Sequence, residues 1–256
     1  MPPPPRKKKF VPVATPVADA PSFPMRINRY LAHKGHATRR DADTLIEKGQ
    51  VLLNGKPAKL GDKVNASDNV EVRSRSPRAY IYLALHKPKG LTTLSDVKGE
   101  KDVLSLLPSD LKRLRLFPIG RLDKESSGLM LVTNDGRLTD RLLNPDRDHE
   151  KVYEVTTKLP LRDSFAEHMS KGVQIEGEMT RPANIEVTGE SAFRITLTEG
   201  KKHQIRRMVV AMHNEVKDLK RTNIGTLSIS GLAPGAYRRI EGKDLEALLS
   251  SLGLQN

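Results

Sequence analysis

The stretch Gly120-Arg121-Leu122-Asp123-Lys124-Glu125-Ser126-Ser127-Gly128-Leu129-Met130-Leu131-Val132-Thr133-Asn134-Asp135-Gly136 constrains this chain more than any other. A polar segment bounded by Gly120 and Gly128 runs straight into an apolar run of strand length, which predicts a turn opening into a buried strand. Asp123 is then a sheltered acid held at the edge of a rigid sheet, with Arg121 two residues before it. A carboxylate so placed can act on a bound ligand. By spacing alone Asp123 is equally a turn or helix-capping aspartate. Capping, however, requires neither the arginine nor a glycine on each side. An arginine holds a carboxylate ionised, and glycines let backbone approach a ligand.

Charge indicates what that ligand is. Lys and Arg total 44 against 31 Asp and Glu, a formal net charge of +13. Such an excess favours polyanions, nucleic acid first, by neutralising phosphates and releasing counterions. No segment approaches the roughly 18 consecutive apolar residues of a membrane span. The start, Met1-Pro-Pro-Pro-Pro-Arg-Lys-Lys-Lys, lacks the apolar core of a secretory signal, so the expected location is the cytoplasm, with no membrane partner. There is no cysteine, which excludes disulfides, thiolate zinc sites and cysteine nucleophiles.

Four segments follow from composition. Residues 1–24 are rich in proline with Arg6 to Lys9 among them, and read as a disordered basic arm. Residues 25–73 form a compact module. Ile27, Tyr30 and Leu31 have helical spacing with Gly35 as a stop. Thr38 can cap a second helix carrying Ala42, Leu45 and Ile46 inward. Val51 to Leu53 enters an Asn54-Gly55 hairpin, and Val70 and Val72 alternate on a last strand. Arg26, Arg29, Lys34, Arg39 and Arg40 gather on one flank. Residues 74–79 are a basic linker. Residues 80–256 alternate strand-like and helix-like segments without a strict βαβ repeat. Strands are expected at 81–85, 114–119, 129–133, 152–156, 185–187, 193–198 and 227–229, and helices at 103–107, 137–144, 164–171, 204–213 and 244–252. The expected class is α+β: a small α/β module, then a mixed, mainly antiparallel sheet with flanking helices.

Two further constellations carry chemistry. In Glu199-Gly200-Lys201-Lys202-His203-Gln204-Ile205-Arg206-Arg207-Met208, Arg206 sits beside the apolar stripe of a helix start, partly sheltered, and needs an anion. Lys201, Lys202, His203 and Arg207 would face solvent or RNA. Cations at a helix N-terminus oppose its dipole, which points to an anion bound there. Tyr153, on an alternating strand with Lys151 and Val155, can stack on a base and carry a proton, or simply pack half-buried. Lys87, in His86-Lys87-Pro88-Lys89-Gly90, reads as a phosphate contact or a solvated turn, and Asn134-Asp135-Gly136 as a turn. With five Tyr, five Phe and no Trp, a broad stacking platform is not expected. The seven histidines lack metal-site spacing, and no P-loop, G-x-S-x-G, H-E-x-x-H or Rossmann fingerprint occurs.

Arg26-Ile-Asn-Arg-Tyr-Leu-Ala, Thr38-Arg-Arg-Asp-Ala-Asp-Thr-Leu-Ile and Gly49-Gln-Val-Leu-Leu-Asn-Gly-Lys-Pro resemble the RNA-binding module of ribosomal protein S-four and its relatives. The signature around Asp123, with His86-Lys-Pro-x-Gly, Glu150-Lys-x-Tyr, Glu199-Gly-x-x-x-Gln-Ile-Arg-Arg-Met and Leu232-x-Pro-Gly-x-Tyr-Arg, resembles the pseudouridine synthases, in the branch containing RsuA, RluB, RluE and RluF. Ser126 stands where Thr is common, a mild departure because the hydroxyl survives. The branch often carries a long basic C-terminal tail. Here the basic extension is N-terminal instead. The resemblance implies isomerisation of a uridine in ribosomal RNA to its C5-glycoside, with no cofactor and no metal. Asp123 becomes the essential carboxylate, Arg206 its salt-bridge partner and a filler of the space left by the flipped base. Tyr153 becomes the ring under the uracil, and Arg121 and Lys87, counted among the RNA-binding residues, support the loop and nearby backbone. The expected target lies in the large subunit, with a small-subunit target or a non-catalytic assembly factor as alternatives, and the protein is expected to act as a monomer.

Overall fold

The computed structural model describes residues 23–34, 36–37, 39–73, 80–95 and 99–254. The basic arm up to residue 22, the stop at Gly35, the cap at Thr38 and the linker at 74–79 lie outside the described residues, as does the side chain of Arg40.

The N-terminal unit runs β1 (Met25–Arg26), α1 (Ile27–His33), α2 (Arg39–Glu47), β2 (Val51–Leu53), β3 (Lys56–Pro57), β4 (Lys63–Val64) and β5 (Val70–Val72). Ile27 and Leu31, four residues apart on one face of α1, are buried against Ala42 and Ile46 of α2 and Val51 of β2. Asn54 and Gly55 both take positive φ, 52° and 78°, the pairing a tight two-residue hairpin between β2 and β3 needs.

The second unit begins with β6 (Tyr82–Lys87) and a 3-10 turn (Val103–Leu106). It continues through α3 (Ser109–Lys112), β7 (Phe117–Ile119), β8 (Ser127–Thr133), α4 (Arg137–Leu143), a second 3-10 turn (Pro145–Arg147), β9 (Lys151–Thr157) and α5 (Phe165–Ser170). Next come β10 (Gln174–Ile175), β11 (Glu178–Met179), β12 (Asn184–Gly189), β13 (Ala192–Leu197), α6 (Gln204–Ala211), β14 (Val216–Ile224), β15 (Leu227–Ser228), β16 (Tyr237–Arg239) and α7 (Gly242–Ser251). A nine-stranded sheet follows the order β12-β13-β9-β14-β8-β6-β16, with β15 beside β14 and β7 beside β8. Every pairing in it is antiparallel except β8 with β14. That one parallel seam is short, Lys220 opposite Ser127 and Arg221 opposite Gly128, and joins two antiparallel halves.

Strand alternation divides the core. Tyr82 and Ala84 of β6 and Leu129 and Leu131 of β8 face one side, under Leu138 and Leu142 of α4 and Leu248 and Leu249 of α7. Leu83, Leu85, Met130 and Val132 face the other, with Val103, Leu111 and Leu122. On that second side, beyond the seam, a separate cluster joins Val155, Phe193, Ile195 and Leu219 to Phe165 and Met169 of α5 and to Ile205, Met208 and Val209 of α6. Tyr153 packs against both clusters. The sheet thus carries two apolar mounds with a valley between them along the seam.

Two expectations need correction, and one strand has no counterpart in the sequence reading. The strand placed at 114–119 is only Phe117–Ile119, because Arg115 takes φ +53° and turns the chain; its guanidinium meets Asp41 of α2 at 2.5 Å. The central strand β14 was not anticipated at all. Asn134-Asp135-Gly136 is more than a turn: Asp135 is fully buried and accepts hydrogen bonds from the Tyr82 hydroxyl at 2.7 Å and from the Arg137 side chain at 2.8 Å. Among the described residues, no helix is long and apolar enough to cross a membrane.

Candidate active site

The segment before β8 is held by its backbone. The Thr93 hydroxyl accepts from the Leu122 N–H at 3.0 Å and donates to the Leu122 carbonyl at 2.8 Å. The Gly90 N–H donates to the Lys124 carbonyl, and the Ser126 N–H to the Asp123 carbonyl. From beneath, the Lys87 ammonium donates to the carbonyls of Ser126 at 2.6 Å, Pro88 at 3.0 Å and Lys124 at 3.3 Å. From across the valley, Arg206 Nη2 donates to the Glu125 carbonyl and the Ser126 hydroxyl, both at 3.1 Å. With this many backbone groups fixed, Asp123 is presented from a frame that cannot drift, which is what a reacting group requires.

Lys87 is fully buried and aimed at carbonyls, so it supports the loop, as the resemblance implies, and its ammonium is not presented as a surface phosphate contact or a solvated turn. Burial pushes its ammonium down to about 8, against the pull of the Asp123 and Glu125 carboxylates. Lys87→Met keeps the stem and removes the charge, leaving buried carbonyls without a donor. The expected loss is about 2–3 kcal/mol of stability, read by urea unfolding, with the Leu122 and Ser126 amides exchanging hydrogen faster. Unchanged exchange at those amides would mean that the carbonyl contacts do not hold the loop.

Asp123 itself is not a buried acid. Its side chain is 38 % exposed and opens onto the valley. Arg121 is exposed and makes no ion pair with it among the described residues. The side chains beside the carboxylate come from the start of α6: His203 Nε2 lies 3.3 Å from Oδ1, and Arg206 Nε 4.0 Å from Oδ2. The anion expected at that helix end is therefore Asp123. Arg206 is tied to the loop by its other nitrogen, which fits a salt-bridge and lacing role.

Of the other cations on α6 and the turn before it, Lys202 is exposed, whereas Lys201 pairs with Glu178 and Arg207 with Glu176, each at 2.7 Å, on the β10–β11 hairpin. Exposed pairs of this kind contribute little, so the two cations can exchange these partners for phosphates. In the N-terminal unit Arg26, Arg29 and Arg39 are exposed.

Register places Tyr153. It lies opposite Arg221, which lies opposite Gly128, so the three share the valley floor. Sequence reasoning missed Arg221. Its side chain is buried; Nε donates to the Leu129 carbonyl at 2.8 Å, where β8 and β14 part, and Nη2 has no hydrogen-bond partner. Lys151, on the same face of β9 as Tyr153, is pushed below the usual lysine range by burial and then by Arg221. Arg221 and Lys151 are thus the basic side chains nearest the tyrosine along these strands.

Residues 81–211 match the RNA pseudouridylate synthase family, and residues 25–70 the S4 domain. The chain is 40 % identical over 230 residues to the dual-specificity RNA pseudouridine synthase RluF of Escherichia coli, covering 88 % of this chain and 78 % of that protein. It is 34 % identical over 233 residues to ribosomal large subunit pseudouridine synthase B of Bacillus subtilis, covering 87 % and 95 %. A crystal structure of a pseudouridylate synthase superposes with a TM-score of 0.66 at 28 % identity, covering 88 % of this chain and 99 % of that one.

Proposed function

This chain belongs to the RNA pseudouridylate synthase family, and we propose that it converts a uridine of ribosomal RNA to pseudouridine, in the large subunit, with Asp123 as the acting carboxylate. The observation that carries this reading is the framed carboxylate: Asp123 on a backbone-pinned loop, faced by donors of α6, at the mouth of a valley whose floor holds Tyr153.

The chemistry suits that arrangement. The N1–C1′ bond must break, the uracil must turn in place, and C5 must bond to C1′. C5 then loses its proton while N1 gains one, so the whole reaction is proton-neutral. A paired uridine is out of reach, so the nucleotide must be extruded at a cost of a few kcal/mol, as an order of magnitude. The ionised Asp123 meets the sugar as its C1′ becomes electron-poor, the Tyr153 ring supports the base, and Arg206 keeps the two mounds laced. Exposed cations of both units supply phosphate affinity without sequence preference. Arg121 and Lys202, exposed at or near the rim, belong to that set, with Arg26, Arg29 and Arg39 of the N-terminal unit. Asp123, Tyr153 and Arg206 come from one chain, so a monomer suffices, and a ribosomal RNA substrate places the work in the cytoplasm.

The test is direct. Transcripts of both ribosomal RNAs are incubated with the protein, treated with carbodiimide and alkali, and read by primer extension. A new stop in the large-subunit transcript is expected. A stop only in the small-subunit transcript keeps the reaction and rejects the target, and no stop in either rejects the reaction.

A further inference from the structure

We propose that His203 is a positioning residue for Asp123, orienting the carboxylate for the sugar without neutralising it; the inference rests on Asp123 being the acting carboxylate. The two carboxylate oxygens face different donors. Oδ2 looks towards Arg206 Nε, but at 4.0 Å, beyond a hydrogen bond, because that guanidinium is engaged by Glu125 and Ser126. His203 Nε2 makes the closer approach, 3.3 Å to Oδ1. Nothing else among the described residues reaches the carboxylate oxygens as an ion pair or a side-chain hydrogen bond. The imidazole is therefore the nearest side-chain donor to Asp123, at ion-pair distance and without a formed hydrogen bond.

The imidazole is placed by its backbone. His203 precedes α6 with φ 53° and ψ 28°, a left-handed conformation uncommon for a residue other than glycine. The turn that imposes it is locked from inside. Buried Gln204 accepts from the Lys201 N–H at 2.9 Å and donates to buried Glu199 at 2.6 Å, and Glu199 in turn accepts from the Arg181 N–H at 3.0 Å. The ring itself is 47 % exposed, at the lip of the valley, so little packing dictates its direction except the turn and Asp123.

Charge explains why an imidazole suits this place. The loop contributes Asp123, Lys124 and Glu125; α6 contributes Arg206 and Arg207; the preceding turn contributes Lys201 and Lys202; Lys87 lies beneath. Another permanent cation against Asp123 would cancel the field that a carboxylate must present to an electron-poor sugar carbon. An imidazole lacks the permanent charge of a lysine or arginine and still offers an N–H able to donate to the carboxylate. It can therefore fix the rotamer while leaving the carboxylate anionic.

Three full-length variants test this: His203→Ala, His203→Gln and His203→Lys, each measured for single-turnover rate and RNA affinity beside the wild type. A group that orients the reacting carboxylate should alter the chemical step and not binding, so His203→Ala should lower the rate about tenfold or more with Kd within about twofold. Glutamine offers a neutral N–H at similar reach and should recover the rate to within about threefold. Lysine should keep or improve affinity and still lose rate, because it adds charge. If His203→Ala weakens RNA binding and keeps its rate, or if lysine matches the wild-type rate, His203 is an RNA contact and the proposal is overturned. If alanine and glutamine lose rate equally and melt equally early, its role is structural and the proposal is likewise overturned. A wild type that isomerises no uridine removes the parent reading; an active wild type with an unaffected alanine variant removes this inference alone.

Discussion

Asp123→Asn is expected to abolish isomerisation, by at least about a thousandfold in single-turnover rate, while RNA affinity stays within about threefold. Asparagine matches aspartate in shape, but it carries no charge and is a poor nucleophile and base. The loop should keep its form, because its ties run through the carbonyls and amides of Leu122, Lys124, Glu125 and Ser126 and not through the carboxylate. Binding should hold for an electrostatic reason. Asp123 is an anion in a site that receives phosphates, so its removal takes away repulsion, not attraction. Carbodiimide primer extension, or tritium released from C5-labelled uridine, reads the rate, and filter binding reads affinity. Residual turnover above about one per cent, in protein that melts like the wild type, would show that the carboxylate is not the acting group.

The parts of this site legible in the sequence are those whose signals are local. The turn before β8, the run from Leu129 to Thr133, the helical stripe of Ile205, Met208 and Val209, and the alternation around Tyr153 all sit where periodicity and turn residues place them. The parts that were not legible depend on distant neighbours. Lys87 reads from its own surroundings as a phosphate contact or a solvated turn, and loop support comes only through the resemblance; the Ser126 carbonyl that accepts from it lies 39 residues away, and only the fold brings the two together. Arg121 stands two residues from Asp123, but in an irregular segment such spacing fixes no direction, and the side chains that face the acid arrive from the start of α6. β14 was missed for a physical reason. A buried central strand ordinarily reads as a continuous apolar run, whereas Val216-Lys-Asp-Leu-Lys-Arg-Thr-Asn-Ile is mostly polar. Its charged residues are accommodated at the sheet's only parallel seam, where Asp218 pairs with Lys89 and Arg221 fills the gap between parting strands.

That seam makes Gly128 the most sensitive backbone position in the catalytic unit, and Gly128→Ala is expected to cost about 4 kcal/mol or more, enough to leave little folded protein. Gly128 takes φ +126°, which residues with a Cβ rarely adopt. A Cβ there would stand 2.3 Å from the Arg221 carbonyl oxygen and 2.4 Å from the Arg221 nitrogen. Both are backbone atoms, so no side-chain rotation relieves the contact. β14 would have to withdraw from β8, and the seam has only one other residue pair, Ser127 with Lys220, to resist that. Withdrawal would also shift Arg221 and the strand on which Tyr153 is registered, so any folded remnant should lose activity out of proportion to its stability. Gly189→Ala is the matched control: it lies on the edge strand β12, and its added Cβ meets only the Ala192 Cβ at 3.6 Å, an ordinary contact. Thermal melts followed by circular dichroism should put Gly128→Ala more than about 10 °C below the wild type, if it folds, and Gly189→Ala within about 3 °C. A Gly128→Ala protein that melts with the wild type would mean that the two halves meet less closely than this seam requires, and the valley between them would lose its claim to being a rigid floor for the base.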